Sequence, residues 1–516
     1  MAIDLPPPAT PQQAPTVELV AQAHGAIVIP YRALRIHVFG PAVESGLVSA
    51  ERLAADVAKA DTVSDAVRTI GYLYYVSGYP AELTSYALAD PTNLYVRVVP
   101  GRLSEVRAPA RYQSYLSGLS ARSPLSDASF ERARALADVL GERSGDRYNA
   151  TFLPVGQDAV ILDLGQRTQG SRQTLIRGDF SNYGNRYSGP YLADASLRQS
   201  FSSGDEVTLA GVTSVRFLGF GGSHSEPYHE GSLEWSRITP LGLFALDGRY
   251  ADFAQDDQGL RLSGSLSTGS ISWLYPLYAD FQQRINLLSK LDRSHEAAHA
   301  EDQSNTELLS ELYNSAELSG SYVWRIVSDG RQRTFSITGS ARKGLSSRSR
   351  GSLSNPGYFI GRSSLSGQYD LTMNLGLVAD ASFQSGGSAV PQLEQFVIGG
   401  PASAHAYETG VGVGDRGSNL RIGAEFKGNA DSVFEQYLIH PMLFVEYGST
   451  DRAATAGTAA GGSVAVADVG VETTFRLLPW LGGALSVAQS IHEEGGDQSP
   501  NGLAKKYVFF RLAAQY

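Results

Sequence analysis

Apolar and polar side chains alternate along most of the chain from residue 171 to the C-terminus. Leu420, Ile422 and Ala424 share one face of such a segment, and Arg421 and Glu425 lie on the other. Successive side chains of a β-strand point to opposite faces of a sheet, so this period of two predicts strands. We therefore expect the last two thirds of the chain to be almost entirely β.

The number of these segments favours a membrane barrel over a soluble sandwich, because so long a series would make a very large sandwich. Transmembrane barrels use strands of about 10 residues, with short turns at one end and long loops at the other. At roughly 42 residues per hairpin, residues 171–516 predict about 16 antiparallel strands. The sheet must close in a bilayer, since an open edge would leave backbone groups unpaired. Charges on the second face predict a wet lumen.

The first third of the chain has a mixed pattern. Val63, Val67, Ile70 and Tyr74 follow helical spacing, and alternating segments lie on both sides of them. A shorter version of the same order follows, so the sequence predicts two small α+β domains. We expect a Pro-rich arm with one candidate helix (residues 16–24) over residues 1–30, the first domain over 31–103, the second domain and a linker over 104–170, and the barrel over 171–516.

Composition removes several classes of function. The chain has 42 Lys and Arg against 52 Asp and Glu, which argues against nucleic acid as a partner, because phosphate contacts need clustered basic residues. It has no cysteine, which excludes disulfides and cysteine-bound metals. No apolar run approaches 18 residues, and the N-terminus lacks the layout of a signal peptide, so an exported protein would have lost its leader.

Three sequence motifs and the order of the domains point to a known family. Residues 70–80 read IGYLYYVSGYP and residues 94–103 read LYVRVVPGRL, similar to a family pattern of helix-GY-strand followed by V-x-G-R-[IL]. Residues 182–189, NYGNRYSG, are similar to the family's N-Y-G-S-R-Y-T-G. The chain thus resembles the TpsB transporters of two-partner secretion, the haemolysin secretion/activation family, in the superfamily that joins POTRA domains to an outer-membrane barrel.

The resemblance implies a bacterial outer-membrane protein with its POTRA domains in the periplasm. Its expected partners are a secreted TpsA-like protein, outer-membrane lipid and the barrel assembly machinery, which would bind the C-terminal strand ending at Tyr516. An unfolded substrate would add a strand to the edge strands of the modules, those of Glu82 to Leu88 and Arg147 to Leu153. The family's N-terminal helix plugs the barrel, whereas the short segment before residue 34 leaves little chain here to span the pore and return.

A glycine pair and a histidine stand where the family has a loop motif, G-G-x-x-S-V-R-G-Y, that folds back into the barrel. Gly399 and Gly400 are kept, and the segment Ala404-His405-Ala406-Tyr407 replaces V-R-G-Y. The motif's arginine pairs in the family with an aspartate of F-x-D-x-G on a later strand.

This chain has Phe444-Val-Glu446-Tyr-Gly448 at that place, so both partners have changed. We hypothesise that His405 and Glu446 meet in the lumen and hold the loop, with the carboxylate favouring protonated histidine. The alternative is a histidine exposed to lumen water.

A second motif competes with transport. The sequence His295-Glu296-Ala-Ala-His299 matches H-E-x-x-H, which on a helix places two imidazoles beside a zinc ion. By the count of hairpins it falls on an extracellular loop, between a strand-like segment and the polar residues 301–306, so we expect neither a metal nor catalysis. The sequence shows no nucleophile elbow or phosphate-binding loop, and Asp468 with Glu472 fits pore-lining residues better than an acid/base pair. We expect no cofactor and no enzyme.

Two other functions remain open. A factor that inserts other barrels into the membrane has the same kind of architecture, although more POTRA domains are expected of it. A passive porin would leave the first third of the chain without a role.

Overall fold

The computed structural model describes residues 6–119, 124–169, 172–184, 188–215, 228–257, 260–301, 306–328, 331–350, 354–387, 389–427, 438–452, 462–495 and 503–516. It contains a five-stranded sheet, a three-stranded sheet and a closed barrel of sixteen strands. The expected fold class, two α+β modules before an antiparallel barrel, is confirmed. Among these residues no helix has the length and apolar character that crossing a membrane requires.

The first module has helices on both faces of its sheet. Its elements are β1 (Gln12–Gln13), α1 (Thr16–Gln22), β2 (Ile27–Tyr31), β3 (Leu34–Phe39), α2 (Pro41–Glu44), α3 (Ala50–Val57), α4 (Val63–Val76), β4 (Glu82–Asp90) and β5 (Asn93–Pro100). The strands lie in the order β1-β4-β5-β3-β2. Alternate residues of β5 such as Val96 and Val98 are buried against Leu53 and Ile70 of the helices, as the alternation predicted.

The glycine of the GY motif has a packing role. A Cβ on Gly71 in α4 would lie 2.8 Å from Thr84 Oγ1 of β4, so only glycine lets the helix approach the sheet this closely.

The N-terminal arm belongs to this module, and the expected boundary at residue 30 is wrong. The candidate helix exists as α1, and its Leu19 packs on Phe39 and Ala87 of the sheet rather than in the barrel. Gln12 and Gln13 pair in parallel with Ser85 and Tyr86, so β1 covers part of the β4 edge. Residues 82–88, which we expected to form an edge strand, therefore have only part of that edge unpaired.

The second module consists of β6 (Arg102–Arg107), α5 (Ala110–Leu116), α6 (Asp127–Ser144), β7 (Asp146–Val155) and β8 (Ala159–Gln169). Its sheet has the order β6-β8-β7, which leaves β7 at an edge as predicted for residues 147–153. Since β6 pairs with β8, the module begins at Arg102 rather than at residue 104.

The barrel consists of β9 to β19 and β22 to β26, and β20 and β21 form a separate hairpin. The bounds are β9 (Thr174–Ser181), β10 (Leu192–Ser200), β11 (Asp205–Ser214), β12 (His229–Thr239), β13 (Gly242–Asp257), β14 (Leu260–Ala279), β15 (Gln283–Ala300), β16 (Thr306–Ser328), β17 (Arg331–Arg350), β18 (Phe359–Asp370), β19 (Leu375–Gly386), β20 (Phe396–Ile398), β21 (Gly412–Gly414), β22 (Arg416–Phe426), β23 (His440–Asp451), β24 (Ser463–Leu478), β25 (Leu481–Gly495) and β26 (Val508–Gln515).

The first and last strands close the barrel. Residues of β26 from Arg511 to Gln515 pair with β9, and Asn182 extends this seam. Its side chain donates to Val508 O at 2.9 Å and accepts from Phe510 N–H at 2.8 Å. Asn182 opens the NYGNRYSG motif, whose residues 185–187 lie outside the described residues, so at least one motif residue has a role in closure.

The outer face of the barrel is apolar, as a lipid-facing wall must be. Ile176, Leu197, Leu209 and Leu233 pair across four adjacent strands in one continuous row. Their exposed fractions range from 39% to 51%, far above those of core residues. This band indicates a transmembrane barrel.

The modules lie at one end of the barrel and define its module end. Arg143 of α6 donates to Gly204 O at 2.9 Å and to Ser236 Oγ at 2.7 Å, both on the barrel side of the contact. The ring of Tyr75 in α4 stacks 5.5 Å from Phe281 in the short turn between β14 and β15. Both modules therefore touch the same end of the barrel.

Candidate functional site in the barrel lumen

A long segment between β19 and β22 folds into the barrel. This inward segment (residues 389–415) contains a short 3-10 helix, Gln392–Glu394, and the hairpin of β20 and β21. Gly399 and Gly400 have φ angles of +103° and +77°, which glycine adopts at no steric cost, so the chain turns there toward His405. The segment that the glycine pair indicated is thus the one that enters the lumen.

The structure brings His405 and Glu446 together. His405 Nδ1 lies 2.8 Å from Glu446 Oε2, and the backbone N–H of His405 donates to the same oxygen at 3.1 Å. His405 is only 2% exposed, unlike a histidine exposed to lumen water. The next residue adds a third bond, because Ala406 N–H donates to Asp468 Oδ2 at 3.0 Å.

Two further residues complete this contact. Glu472 Oε2 lies 3.4 Å from His405 Nε2, and Arg421 contacts both Glu446 and Glu472, at 3.3 Å and 2.5 Å. We call the five residues His405, Arg421, Glu446, Asp468 and Glu472 the tip anchor. The arginine that the loop motif lost is therefore matched by an arginine on the wall, in β22.

Aromatic contacts fix the geometry of the tip anchor. The His405 ring lies 4.8 Å from the ring of Phe444, and the Arg421 guanidinium lies 4.4 Å above that same ring. A Cβ on Gly470 would lie 2.5 Å from the Phe444 ring, so this glycine makes room for it. The phenylalanine of the F-x-E-x-G pattern thus holds both bases in place.

The carboxylates keep His405 charged at neutral pH. Burial opposes protonation, but the hydrogen bonds to Glu446 and Glu472 prevail and raise the pKa of His405 to about 9. Both ring nitrogens then donate to carboxylates, which makes these bonds charge-assisted.

The other predicted residues surround the same contact. Tyr407 is fully buried, and its hydroxyl lies 2.5 Å from Ser490 Oγ and donates to His492 O at 3.1 Å. A Cβ on Gly448 would lie 3.4 Å from Ile398 Cβ, so this glycine lets the hairpin pack on the wall. All seven predicted loop and wall residues therefore lie at one place in the lumen.

A second anchor, which the sequence analysis missed, holds the start of the inward segment. Glu394 in the 3-10 helix is 5% exposed and contacts Arg342 at 2.6 Å and Arg362 at 2.8 Å. Arg342 also contacts Glu317, at 3.0 Å, and Asp292. We call Asp292, Glu317, Arg342, Arg362 and Glu394 the root anchor.

The missed residues gave only a weak signal. Alternation did place Arg421, Asp468 and Glu472 on the lumen face, where they were interpreted as pore lining. Their meeting depends on register, because Arg421 pairs with Glu446 and Glu446 pairs with Asp468 across three strands. A prediction of register would have been needed to find them.

The H-E-x-x-H motif lies within strand β15, so its expected place on a loop is wrong. His295 and Glu296 are consecutive in the strand and point to opposite faces of the sheet. A zinc protease needs both imidazoles and the glutamate on one side of a helix. The described residues contain no cluster of three or more acidic and histidine side chains suited to a metal ion. Part of the polar stretch 301–306 lies outside those residues.

Comparison with solved structures finds proteins that share this fold. CdiB from Escherichia coli superposes with a TM-score of 0.65 at 16% identity, over 95% of this chain and 91% of that chain. CdiB from Acinetobacter baumannii gives a TM-score of 0.60 at 13% identity, over 91% and 88%. The chain shares the fold of CdiB.

A third structure extends the likeness. BamA from Haemophilus ducreyi, lacking POTRA domains 1–3, superposes with a TM-score of 0.50 at 13% identity, over 95% of this chain and all of that chain. No protein-family model and no curated protein sequence matches the chain significantly. At these identities the likeness establishes the fold, POTRA-like modules joined to a barrel, and leaves function to be argued from the site.

Proposed function

We propose that this protein is an outer-membrane transporter of the TpsB type, which moves an unfolded, exported partner protein from the periplasm to the cell surface. The observation that carries the proposal is a pair of α+β modules fixed at one end of a closed barrel whose lumen holds an anchored segment. The shared fold of CdiB supports this assignment. The chain would act without catalysis and without a cofactor.

Substrate capture is assigned to the second module. An extended peptide binds an exposed sheet edge through backbone hydrogen bonds, which need no folded substrate. Since β1 covers part of β4, the edge offered by β7 is the better acceptor. Leu153 and Val155, which are 38% and 45% exposed near the end of β7, would give the edge an apolar contact for such a peptide.

The inward segment would act as the gate. The tip anchor must open before a polypeptide passes, because the segment otherwise occupies part of the lumen. The modules would lie in the periplasm, and the barrel assembly machinery would insert the protein by its C-terminal strand ending at Tyr516. Energy would come from folding of the partner outside the cell.

Reconstitution tests this function. The purified chain in liposomes should move an added unfolded TpsA-like protein across the bilayer and pass little current in its absence, and a variant with β7 weakened by Thr151→Pro should lose most of this transport. Proline removes a backbone donor from an edge strand. Transport that does not need the modules, or current that flows equally without substrate, would contradict the proposal.

Barrel assembly is the second candidate, and the likeness to BamA favours it. Accelerated insertion of an unfolded outer-membrane barrel into the same liposomes, with no export of a secreted protein, would select it instead. Steady conductance without any substrate would select a porin.

A further inference from the structure

A basic cluster lies on the outer wall of the barrel, at the end opposite the modules. Strands β15 to β17 cross the membrane side by side, and their lumen-facing residues Asp292, Glu317 and Arg342 belong to the root anchor. The residues that alternate with them point outward, as the 54% exposed Leu291 shows, and a register shift in β17 between Gly344 and Ser346 places Arg348 on this outward face as well. This outward face carries Arg293 on β15 and Lys343 and Arg348 on β17.

The register places these residues around a patch of uncharged side chains on β16, which we call the trough. Arg293 is opposite Asn314, and Arg348 is opposite Leu312, which is the next outward-facing residue of β16. The two arginines are therefore offset by one outward position along the strands. Strands lie about 4.8 Å apart and outward residues repeat about every 6.7 Å, which puts the two arginines roughly 12 Å apart at their Cα atoms. Two arginine side chains span that distance toward a shared ligand.

The middle strand, β16, adds no charge to the trough. Its outward residues between the basic side chains are uncharged: Ser310, Leu312, Asn314 and Ala316. Within the described part of the chain, Arg293, Lys343 and Arg348 form no ion pair, and the neighbouring Arg350 only approaches Glu307, at 3.9 Å. The cluster therefore lacks a protein counter-charge of its own.

The height of the cluster matches a lipid head-group region. Arg293 lies ten residues after Gln283, where β15 leaves the module end. At about 3.3 Å per residue and a tilt near 40°, this is about 25 Å, the height of the apolar band of such barrels. The exposed apolar residues Leu291, Leu318 and Leu345 lie around the same strands.

From this placement we propose that the trough on β15, β16 and β17 binds the phosphorylated head group of a membrane glycolipid. The basic residues stand on the lipid-facing side of the wall, so their neighbour is a lipid rather than a soluble partner. Arg293 and Arg348 would hold a phosphate group from two sides, since guanidinium groups bind phosphate in a forked geometry. Asn314 and Ser346, which lie between the two arginines, would contact the sugar that carries this phosphate.

The opposite wall supports a local site rather than a general basic rim. There β23 ends at Asp451 and the far end of β25 carries Glu494, which is 77% exposed on its side chain. Acidic residues repel a phosphate, so the lipid should select the β15 to β17 side. The inference rests on the proposed outer-membrane location but not on secretion.

The test uses the full chain in lipid nanodiscs, with diphosphoryl lipid A as the probe and native mass spectrometry as the readout. The double variant Arg293→Gln/Arg348→Gln should bind about thirty-fold more weakly, because each basic residue near the membrane surface contributes about fivefold to the affinity. The matched control Arg331→Gln, an exposed arginine at the module end of β17, should bind as the wild type does. Resistance of the folded barrel to heating in detergent verifies that each variant is folded.

Three results would overturn the proposal: unchanged binding by the double variant, equal loss in the control, or equal binding of lipid A from which both phosphates have been removed. Displacement of lipid A by inorganic phosphate would also overturn it, because a free anion site would then explain the cluster. Export assays on the same variants in liposomes separate the two proposals. Loss of lipid binding with normal export leaves the transporter intact, and a chain that binds lipid A selectively without exporting keeps the site.

Discussion

The inward segment is held at two places that use the same number of charges in opposite arrangements. Each anchor sets three carboxylates against two bases. At the root anchor the segment supplies a carboxylate, Glu394, and the wall supplies Arg342 and Arg362. At the tip anchor the segment supplies a base, His405, and the wall supplies three carboxylates and Arg421.

The difference lies in one base. Both bases of the root anchor are arginines, whose charge is permanent, whereas one base of the tip anchor is a histidine. Pairing can therefore be lost at the tip by losing a proton, while the root stays paired at any pH near neutral. A gate built in this way should open at His405 and stay attached at Glu394.

The largest effect should come from breaking the root anchor. Arg342→Gln leaves Asp292, Glu317 and Glu394 buried together with less positive charge, at a cost of about 3–5 kcal/mol. We expect a marked fall in the temperature at which the folded barrel unfolds in detergent. The control Arg331→Gln, in the same strand but exposed, should change nothing; equal stability of both variants would remove the root anchor from the account.

Breaking the tip anchor should cost less. Glu446→Gln removes the negative charge from the group to which the His405 ring and backbone N–H both donate, worth about 3 kcal/mol for charge-assisted bonds. Single-channel recordings should show long openings that the wild type lacks. Glu425→Gln, in the neighbouring strand β22, serves as the control, and openings equal to its own would contradict the lock.

Alkaline pH should act on the tip anchor alone. A free histidine has a pKa near 6.5, and His405 is raised to about 9, so its stabilisation is fully present below about 6.5 and is lost as the pH rises through 9. The total lost is about 3 kcal/mol. Conductance should rise between pH 7 and 10, and a rise on acidification would mean that the sign is wrong.

His405→Arg should sharpen this result. Arginine restores a permanent charge on the segment, so the pH dependence between 7 and 10 should disappear even if the longer side chain costs about 1 kcal/mol in packing. Conductance against pH is again the measurement. An unchanged pH profile would place the titrating group elsewhere.

The smallest effect concerns the end of the tip. Tyr407→Phe removes the hydroxyl that bonds to His492 O and Ser490, for about 1 kcal/mol. Openings should become slightly more frequent without a change in their pH dependence. A change larger than that of Glu446→Gln would make Tyr407 the main lock.

Alternation predicted the strands, because period two is a local property of each strand, and the number of strands predicted the barrel. It also placed Arg421 and Glu472 on the lumen face. The root anchor could not be predicted from the sequence, since Glu394 and Arg342 lie on separate elements and no motif contains either. Only the register of four strands brings Asp292, Glu317, Arg342 and Arg362 to one height.

The first module was predicted incompletely for a similar reason. The two-residue β1 lies between Pro11 and Pro15, and its composition suggested a disordered arm. It forms a strand because β4 offers backbone partners at Ser85 and Tyr86, which is a tertiary effect. Its local sequence carries no such signal.

The position of the inward segment can be tested by one cross-link. The chain has no cysteine, and a Cβ on Gly448 would lie 3.4 Å from Ile398 Cβ, close to the separation of a disulfide. Ile398→Cys/Gly448→Cys should form a disulfide in nearly all molecules under mild oxidation, with export blocked until a reductant is added. Two thiols that stay free in the folded barrel, or export that continues through the oxidised protein, would contradict a gate held inside the lumen.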